Sequence, residues 1–344
     1  MFRLGLVVGK FAPLHNGHLL LVARAASLCE RVAIISYSNP ELDGYEAERR
    51  EAWLRACFPD ATILVVTPAR LADWLGGDAV PAMPANDDGD AVQREFAAML
   101  CTRVLRSQPD AVFTSEAYGD GFAAHLTRCF REAYPHSAAV RHVPVDRERH
   151  AVPISGTALR ENLWRHWRHL PPPVARTLVR RIVFLGGESS GKTVLAARLA
   201  RELDTACAPE YGRELWEARE GRLAYEDLAR IAHEQVRREE QALDTARAFV
   251  FCDTSPLTTL FYSVEMFGRA APELVAAAGR TYSLVVLCAP DFPFVQDGTR
   301  RDDAFRRRQH AWYESELAAR GVTYTTARGS LDERIGQLRG LLGA

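Results

Sequence analysis

The chain is almost devoid of lysine: of its 43 lysine and arginine residues, only Lys10 and Lys192 are lysines. A lysine ammonium is a compact point charge, and the flat fork of arginine does not replace it where space beside a phosphate is tight. The two lysines therefore mark two places where phosphate binding is expected. A guanine-specific N-K-x-D motif is excluded, because the sequence has no third lysine.

Other absences narrow the class of protein. The seven cysteines form no C-x-x-C pair, so neither a zinc ribbon nor a disulfide framework is indicated. No apolar run approaches the ~20 residues of a membrane span, and the N-terminus lacks the layout of a signal peptide. We therefore expect no membrane insertion and a cytoplasmic protein. With a net charge of −1 the chain has no excess of positive charge for binding nucleic acid, so no nucleic-acid partner is expected.

Short apolar runs alternate with helix-like segments along both halves of the 344 residues, which is typical of α/β domains with parallel sheets. The length also favours two domains. In the first half the pattern predicts strands at 4–8, 32–36, 61–66, 111–114 and 139–143, and helices at 17–29, 46–57, 90–106, 121–133 and 157–168. In the second half it predicts strands at 181–185, 249–252, 283–288 and 322–325, with helices at 192–203, within 211–247, and at 257–267, 302–319 and 331–342.

Three consecutive prolines at 171–173 mark the clearest boundary, because they favour a stiff extended spacer. We predict a first domain at 1–169, a proline-rich linker at 170–179 and a second domain at 180–344. A loop at 76–90, rich in Gly, Pro, Ala and Asp, is either a connector or a substrate lid.

The first lysine belongs to G-K-F-x-P-x-H-x-G-H at residues 9–18, between a strand and a helix. His15 and His18 are three residues apart and share one helix face. The helix start adds free N–H groups, and Gly17 lets a phosphate approach the backbone closely. Two imidazoles, the Lys10 ammonium and a helix end suit stabilisation of a pentacoordinate phosphorus during nucleotidyl transfer. No covalent nucleophile is needed, since one phosphate attacks another held in line.

These residues resemble the HxGH nucleotidylyltransferases, which implies a Rossmann-like domain. A second match is I-S-G-T-A-L-R at residues 154–160. The resemblance implies that this element binds ATP phosphates through the backbone and through Arg160. Position 156 is glycine where many members have serine, so one hydroxyl is lost while backbone donors remain. The ATP-contacting residues implied in the two motifs are Gly9, Phe11, Gly17, Ser155, Gly156 and Thr157.

Weaker candidates lie between the two motifs. Arg50 resembles the arginine with which related enzymes contact ATP, and a solvated helix face is the competing interpretation. Glu116 and Tyr118 follow the predicted strand at 111–114. Ligands in open α/β sheets bind beyond the carboxyl ends of strands, so these two residues are candidates for substrate binding. A plain strand-to-helix turn is the alternative.

The second lysine belongs to G-x-x-x-x-G-K-T at residues 186–193, a Walker A loop that follows an apolar strand and precedes a helix. Lys192 is expected to bridge the β- and γ-phosphates of ATP, and Thr193 to bind Mg²⁺. Asp253 ends a strand that is typical of Walker B, where it would hold Mg²⁺ or its waters; capping the next turn is the alternative. The expected phosphate cradle consists of Gly186, Glu188, Ser189, Ser190 and Gly191.

Two further segments favour a kinase. D-G-T-R-R-D at 297–302 resembles the lid of small-metabolite kinases, where Arg300 and Arg301 would clamp the transferring phosphoryl group. In E-Y-G-R-E at 210–214, Glu210 could accept a hydroxyl proton and Tyr211 could stack on a ring, with Arg213 beside them. A helix-start acidic residue is the competing interpretation of Glu210.

The order of the two motifs, with E-Y-x-R-E, D-T-x-x-x-T-T and D-G-x-R, closely resembles the NadR-type bifunctional enzymes. The resemblance implies nicotinamide-mononucleotide adenylyltransferase activity in the first domain and ribosylnicotinamide kinase activity in the second. Nicotinamide riboside, nicotinamide mononucleotide, ATP and Mg²⁺ would be used, and NAD would be the product. Some members add an N-terminal DNA-binding domain, which is not expected here because the first strand begins near residue 3.

Two other interpretations stay open. A fusion of phosphopantetheine adenylyltransferase and dephospho-coenzyme A kinase also joins HxGH to a P-loop. A nucleotide-binding regulator that senses NAD or ATP with little turnover is the other. The sequence leaves open whether the amidated or the acid substrate is preferred and whether the chain forms a homo-oligomer.

Overall fold

The computed structural model describes residues 1–76, 80–294 and 301–344, and the chain divides into two units, Met1–Val174 and Ala175–Ala344. Each unit contains one parallel sheet flanked by helices, which confirms the predicted α/β class. The central strands of both sheets are buried and largely apolar, because a parallel sheet is covered on its two faces.

Among the described residues, the first sheet has the order β3-β2-β1-β4-β5, with all neighbouring strands parallel. Its strands are β1 (Phe2–Gly9), β2 (Cys29–Ser36), β3 (Thr62–Val65), β4 (Ala111–Thr114) and β5 (Arg141–Pro144). Its helices are α1 (Asn16–Leu28), α2 (Ala47–Cys57), α3 (Pro68–Leu75), α4 (Asp90–Met99), α5 (Gly119–Ala133) and α6 (Gly156–Glu161). The chain winds outward from β1 and then returns to its other side, which opens a crevice at the carboxyl ends of β1 and β4.

The core of the first unit fixes the strands that border this crevice. Buried residues of the central strands pack against the buried faces of α4 and α5. The strands contribute Leu6, Ile35 and Val112, and the helices contribute Phe96, Leu126 and Phe130. Because the strand residues at the sheet centre are fully buried, the loops that leave their ends start from a rigid base.

Two helices of the first half differ from the predictions. The predicted helix at 90–106 is α-helical only in α4, and it continues as a π-helical turn at Leu100–Val104, where the Leu105 N–H donates to the Leu100 carbonyl at 2.8 Å. The predicted helix at 157–168 ends at Glu161, because the Asn162 side chain accepts from the Arg165 N–H at 2.9 Å and replaces the helical bond. A 3₁₀ turn follows at Trp167–His169.

The proline-rich segment is also different from the extended spacer that we expected. Helix α7 (Pro172–Leu178) occupies most of residues 170–179, and the boundary between the two units falls inside it. Proline has no N–H to donate and its fixed φ suits the first turn of a helix, so prolines can start a helix that they could not continue.

The second sheet has the described order β10-β9-β6-β8-β7 and is parallel throughout. Its strands are β6 (Arg180–Leu185), β7 (Ala206–Ala208), β8 (Phe249–Cys252), β9 (Leu284–Cys288) and β10 (Thr325–Ala327). Its helices are α8 (Lys192–Glu202), α9 (Tyr211–Ala218), α10 (Tyr225–Ala242), α11 (Pro256–Phe267), α12 (Pro272–Ala277), α13 (Asp303–Ala319) and α14 (Leu331–Leu342). The last strand begins three residues later than predicted. The central strand β6 leads directly into the loop before α8.

Two chemical features complete the description. All seven cysteines are free thiols, as the spacing predicts. Of the helices in the described ranges, none combines the length and the apolar character that a membrane crossing requires.

Candidate nucleotide sites

A cavity of about 490 Å³ lies at the carboxyl end of the first sheet, among the loops that follow β1, β2, β4 and β5. It brings together nearly all residues that the sequence predicts for the first site. Those that line it are Gly9, Lys10, Phe11, His15, Gly17, His18, Glu116, Tyr118, Ser155, Gly156, Thr157 and Arg160. Motifs about 140 residues apart in the chain therefore share one cavity, as expected from their positions at the ends of the domain.

The two histidines form the N-terminal cap of α1. The Gly17 N–H donates to His15 Nδ1 at 3.2 Å, and the His15 N–H donates to His18 Nδ1 at 3.2 Å. Their rings stack with centroids 3.8 Å apart, and Phe11 packs against His18 at 4.7 Å. A side chain at position 17 would press on the His15 ring, since its Cβ would lie 3.0 Å from Nδ1. Glycine at position 17 therefore leaves room for the His15 ring in the cap.

Both imidazoles are neutral at pH 7. Burial, followed by the charges of Arg149 and His169, lowers the pKa of His15 to about 4. Burial, followed by the charges of His15 and Arg149, lowers the pKa of His18 well below its ordinary value. A ring nitrogen that accepts a backbone N–H carries no proton, so each ring has its proton on Nε2. Each histidine thus offers one Nε2–H donor to the cavity that it lines.

We expect His15 to stay neutral in the folded protein until the pH falls to about 4, against an ordinary value of 6.5. The lowered pKa means that the charged ring appears only as the pH drops through this value, and at pH 7 the Nε2–H tautomer should dominate. ¹⁵N NMR of histidine-labelled protein measures both properties, with His15→Gln to assign the signal. A titration midpoint near 6.5, or a proton on Nδ1, would contradict this expectation.

Lys10 and Arg160, the cations of the two sequence motifs, line the same cavity. Lys10 Nζ donates to the Asn86 carbonyl at 3.2 Å, and Arg160 Nη1 donates to the Ala12 carbonyl at 2.5 Å. Burial, and next the charge of Arg160, lowers the pKa of Lys10, against an opposing effect of Asp87. An anion bound between these two positive groups would favour the charged form of Lys10.

The I-S-G-T-A-L-R element starts helix α6 as expected. The Ser155 hydroxyl accepts from the Ala158 N–H at 3.1 Å, and the Thr157 hydroxyl accepts from Arg160 Nη2 at 3.1 Å. A Cβ at Gly156 would lie 3.2 Å from Arg160 Nη1 and 3.4 Å from the Ala12 carbonyl oxygen. Glycine at this position therefore leaves room for the Arg160 guanidinium.

Arg50 does not reach the cavity, which corrects the expectation that it contacts ATP. Its side chain is 0% exposed and donates to Ser36 Oγ at 2.8 Å and to Glu41 Oε1 at 2.7 Å. It also donates to the Lys10 carbonyl at 3.4 Å. These partners lie beneath the first motif, so Arg50 supports the backbone of Lys10 from within the core.

We expect Arg50→Ala to lower the free energy of unfolding of the first unit by about 3 kcal/mol, because a large buried side chain and its hydrogen bonds are lost. Calorimetry measures the loss. Arg55→Ala is the matched control, since Arg55 is exposed on the same helix and pairs with Glu51, and it should change stability by less than about 1 kcal/mol. Unchanged stability with weakened ATP binding would restore the original prediction.

The sequence does not single out two residues that border the cavity. Asn86, from the 76–90 loop, holds the carbonyl that Lys10 contacts, and its side chain accepts from Ser38 Oγ at 3.0 Å. Arg149 lies in the loop after β5 and donates to Glu116 Oε1 at 2.8 Å. Each residue lies in a loop at the ligand-binding edge of the sheet, and that position is the signal that could have identified it.

The second cavity, of about 410 Å³, surrounds the Walker A loop in the second unit. Lys192 Nζ donates to the Gly186 and Gly187 carbonyls at 2.9 and 3.0 Å. Gly191 has φ +83° at the start of α8, a left-handed conformation that glycine adopts readily. The cavity residues of the predicted cradle are Glu188, Ser189, Ser190, Gly191, Lys192 and Thr193. Gly186 stands at the start of the loop.

Two C-terminal helices hold this loop in place. Arg334 of α14 is buried and donates to the Ser190 carbonyl at 2.8 Å and to the Ala289 carbonyl at 2.9 Å. The Gln309 side chain of α13 accepts from the Glu188 N–H at 2.9 Å. A Cβ at Gly187 would lie 2.4 Å from the backbone oxygen of Arg306, so α13 packs directly on the loop. The loop is therefore shaped by residues far from it in sequence.

The residues around Asp253 fit a magnesium ion. Thr193 donates a hydrogen bond to the Asp253 side chain, whose Oδ1 is buried and has no hydrogen-bond partner among the described residues. Burial and the neighbouring Glu210 raise the pKa of Asp253 to about 7. A carboxylate oxygen and a hydroxyl beside a phosphate loop are the oxygen ligands that Mg²⁺ prefers. Thr193 and Asp253 are thus the groups that would hold the ion.

Helix α9 presents a different aromatic residue from the predicted one. Glu210, Arg213 and Trp216 line the second cavity, whereas the Tyr211 ring lies under the Arg238 guanidinium at 4.7 Å, away from it. Residues 213 and 216 are one helical turn apart and share a face, which residue 211 does not. The position of Tyr211 therefore does not support the prediction that it stacks on a substrate ring, and Trp216 is the aromatic residue of α9 that lines the cavity.

The segment after residue 300 reaches the cavity through Arg301. The Glu188 carboxylate accepts from the Arg301 N–H at 2.9 Å and from the Tyr262 hydroxyl at 2.8 Å. Arg301 lines the cavity, with its guanidinium 4.4 Å from the Phe305 ring centroid. Arg300 lies outside the described residues.

Known proteins resemble both units. A cytidylyltransferase-like family model matches residues 6–162, and an AAA-domain model matches residues 181–334. The "Trifunctional NAD biosynthesis/regulator protein NadR" of Escherichia coli (strain K12) is 30% identical over 318 residues, which cover 86% of this chain and 71% of that protein. The chain belongs to the NadR family.

Solved NadR structures share its fold. A NadR protein in complex with NAD and AMP-PNP has a TM-score of 0.68 and 22% identity, over 100% of this chain and 97% of that one. A NadR protein in complex with NR gives the same TM-score and identity over 99% and 96%. In this member of the NadR family, the cytidylyltransferase-like match contains the HxGH residues, and the AAA match contains Lys192 and Asp253. Each cavity lies within its own matched segment.

Proposed function

We propose that this NadR-family chain makes NAD in two ATP-dependent steps, one in each unit. The second unit phosphorylates nicotinamide riboside to nicotinamide mononucleotide, and the first unit transfers an adenylyl group from ATP to that mononucleotide. Family membership supports both activities, adenylyltransferase and ribosylnicotinamide kinase. The NAD, AMP-PNP and NR bound by the solved relatives support the same ligands here.

In the first unit, a phosphate oxygen of the mononucleotide forms a bond to the α-phosphorus of ATP. The bond from that phosphorus to the bridging oxygen breaks, and pyrophosphate leaves with the electron pair. Neither step needs a proton. The Nε2–H donors of His15 and His18 and the cations of Lys10 and Arg160 hold the charge that develops on the phosphorus oxygens. Because these donors are fixed by the cap of α1, little reorganisation accompanies the reaction.

In the second unit, the 5′-hydroxyl oxygen of the riboside forms a bond to the γ-phosphorus of ATP, and ADP leaves with the bridging oxygen. Glu210 accepts the hydroxyl proton, Lys192 spans the β- and γ-phosphates, and Arg301 lies at the cavity edge. Thr193 and Asp253 would hold Mg²⁺, which would supply charge neutralisation at the phosphate oxygens when bound. Trp216 offers a flat face to the pyridine ring.

One observation carries the proposal: the HxGH cap, Lys10 and Arg160 share one cavity in the first unit. The second unit holds a phosphate loop and the Asp253 Oδ1 atom, which has no hydrogen-bond partner within the part of the chain that the structure describes. A sensor with little turnover needs bound nucleotide but not both sets of reactive groups. We place the enzyme in the cytoplasm, where its seven free cysteines would stay reduced. A homo-oligomer stays a prediction.

A product assay tests the proposal. Protein incubated with nicotinamide riboside, ATP and Mg²⁺ should yield mononucleotide and then NAD on chromatography. Phosphopantetheine and dephospho-coenzyme A, tested in parallel, should not react. Turnover of those two compounds without NAD would instead support the coenzyme A interpretation. Nucleotide binding without any product would support the sensor.

A further inference from the structure

Arg149 is a cation at the first cavity that the two sequence motifs do not include. It lies in the loop between β5 and α6, and it lines the cavity together with His15 and His18. Its charge is close enough to contribute, after burial, to the lowered pKa of both imidazoles. The guanidinium therefore faces the place where the phosphate chain is expected.

The loop holds Arg149 in position. The Arg149 N–H donates to the Asp146 carbonyl at 2.8 Å, and the Asp146 carboxylate accepts from the Ala151 and Val152 N–H groups at 3.0 Å each. Arg149 has φ +53°, a left-handed conformation that costs a side-chain-bearing residue about 1–3 kcal/mol and is concentrated at functional sites. The Asp146 bonds maintain this conformation.

The side chain of Arg149 has a partner that can be exchanged. It donates to Glu116 Oε1 at 2.8 Å, and the two side chains are 39% and 48% exposed. Exposed ion pairs contribute little to stability, whereas arginine binds phosphate oxygens through strong, charge-assisted hydrogen bonds. Glu116 comes from the loop after β4 and Arg149 from the loop after β5, so the pair joins two loops at the ligand-binding edge of the sheet.

We propose that Arg149 leaves Glu116 when ATP binds and donates to the phosphate chain beside the His15–His18 pair, while Glu116 holds it in the free protein. This inference rests on the proposed function of the first unit. Glu116, which the sequence suggests as a substrate contact, then acts by competing with ATP for Arg149. The arginine adds positive charge where the adenylyl group separates from pyrophosphate.

The test compares Arg149→Ala with Glu116→Gln in adenylyl transfer from ATP to nicotinamide mononucleotide. Arg149→Ala should lower kcat/KM for ATP by about 100-fold, as for loss of one transition-state donor. Glu116→Gln should lower the KM for ATP by about three- to tenfold, because Arg149 no longer leaves an ion pair. Arg149→Lys should retain part of the activity. Arg147→Ala removes the same charge from an exposed neighbour outside the cavity and should stay within twofold of wild type.

A merely structural ion pair predicts something different. Glu116→Gln and Arg149→Ala would then impair transfer alike, and that result would overturn the proposal, as would an Arg149→Ala variant within twofold of wild type. Thermal unfolding followed by circular dichroism reports in each variant whether the first unit is folded.

A second measurement separates this proposal from the function on which it rests. Calorimetry of ATP binding in a Lys192→Ala background isolates the first cavity from the kinase cavity. ATP should bind at least tenfold more weakly when Arg149→Ala is added. Such weakening in a protein that transfers no adenylyl group would uphold the Arg149 contact and reject the adenylyltransferase. Equal binding with and without Arg149 would reject the contact.

Discussion

Lys192→Ala should lower the rate of riboside phosphorylation by about 1,000-fold or more, the upper range for loss of one preorganised charge donor. In the proposed reaction the Lys192 ammonium spans the β- and γ-phosphates, and its Nζ donates to two loop carbonyls at 2.9 and 3.0 Å. Adenylyl transfer from supplied mononucleotide should not change, because the other cavity lies in the first unit. Chromatography of products from the two substrates measures both rates.

Lys192→Arg is the matched variant for this prediction. It keeps the charge, but the planar fork does not fit a space that the loop carbonyls of Gly186 and Gly187 confine. We expect it to be nearly as inactive as Lys192→Ala. An arginine variant with wild-type phosphorylation would show that charge alone is needed, and would remove the reason for the two lysines in an otherwise arginine-rich chain.

His18→Ala should lower adenylyl transfer by about 100- to 1,000-fold and leave riboside phosphorylation intact, so that mononucleotide accumulates. The cause is the loss of one neutral Nε2–H donor from a rigid cap in which the His15 N–H donates to His18 Nδ1 at 3.2 Å. Initial rates with mononucleotide and ATP give the size of the loss.

His18→Gln distinguishes a donor from a base. A glutamine amide offers an N–H at nearly the place of Nε2–H and has no basic nitrogen. If His18 acts as a neutral donor, the glutamine variant should be at least tenfold more active than the alanine variant. Equal loss in both, together with a pH–rate profile that follows one ionisation near 6.5, would show that the ring works as a proton acceptor.

The two phosphate motifs could be predicted from sequence because their chemistry is local. G-x-x-x-x-G-K-T places its amides and its lysine within eight residues. A short apolar run before it indicates the strand, and an amphipathic segment after it indicates the helix. The HxGH histidines are similarly local, since each caps the same helix end. The alternating pattern also predicts the central strands of both sheets, because these strands are largely apolar runs.

The side-chain positions that the sequence does not predict depend on contacts between distant parts of the chain. Whether Arg50 faces ATP or the core is decided by Ser36 and Glu41, which lie in other segments. The choice between Tyr211 and Trp216 depends on the rotation of a helix of eight residues, which tertiary packing sets. Arg149 is partly exposed in a charged loop, and its position at the first cavity follows only once β5 is placed at the sheet edge.

One missed element did carry a local signal. Helix α3 begins with the Thr67 side chain accepting from the Arg70 N–H at 3.2 Å, and with Pro68 in its first turn. A threonine cap followed by proline is a recognised start of a helix. The same rule explains why the prolines before α7 begin a helix rather than an extended spacer.

Complementation between two inactive variants tests most directly whether the chain contains two separate sites. Lys192→Ala and His18→Ala should each fail to make NAD from nicotinamide riboside, ATP and Mg²⁺. An equimolar mixture should make NAD, because His18→Ala supplies mononucleotide and Lys192→Ala consumes it. If each variant keeps its own half-reaction but the mixture makes no NAD, free mononucleotide does not pass between chains and independent sites are contradicted. If either variant alone still makes NAD at the wild-type rate, the assignment of that site is wrong.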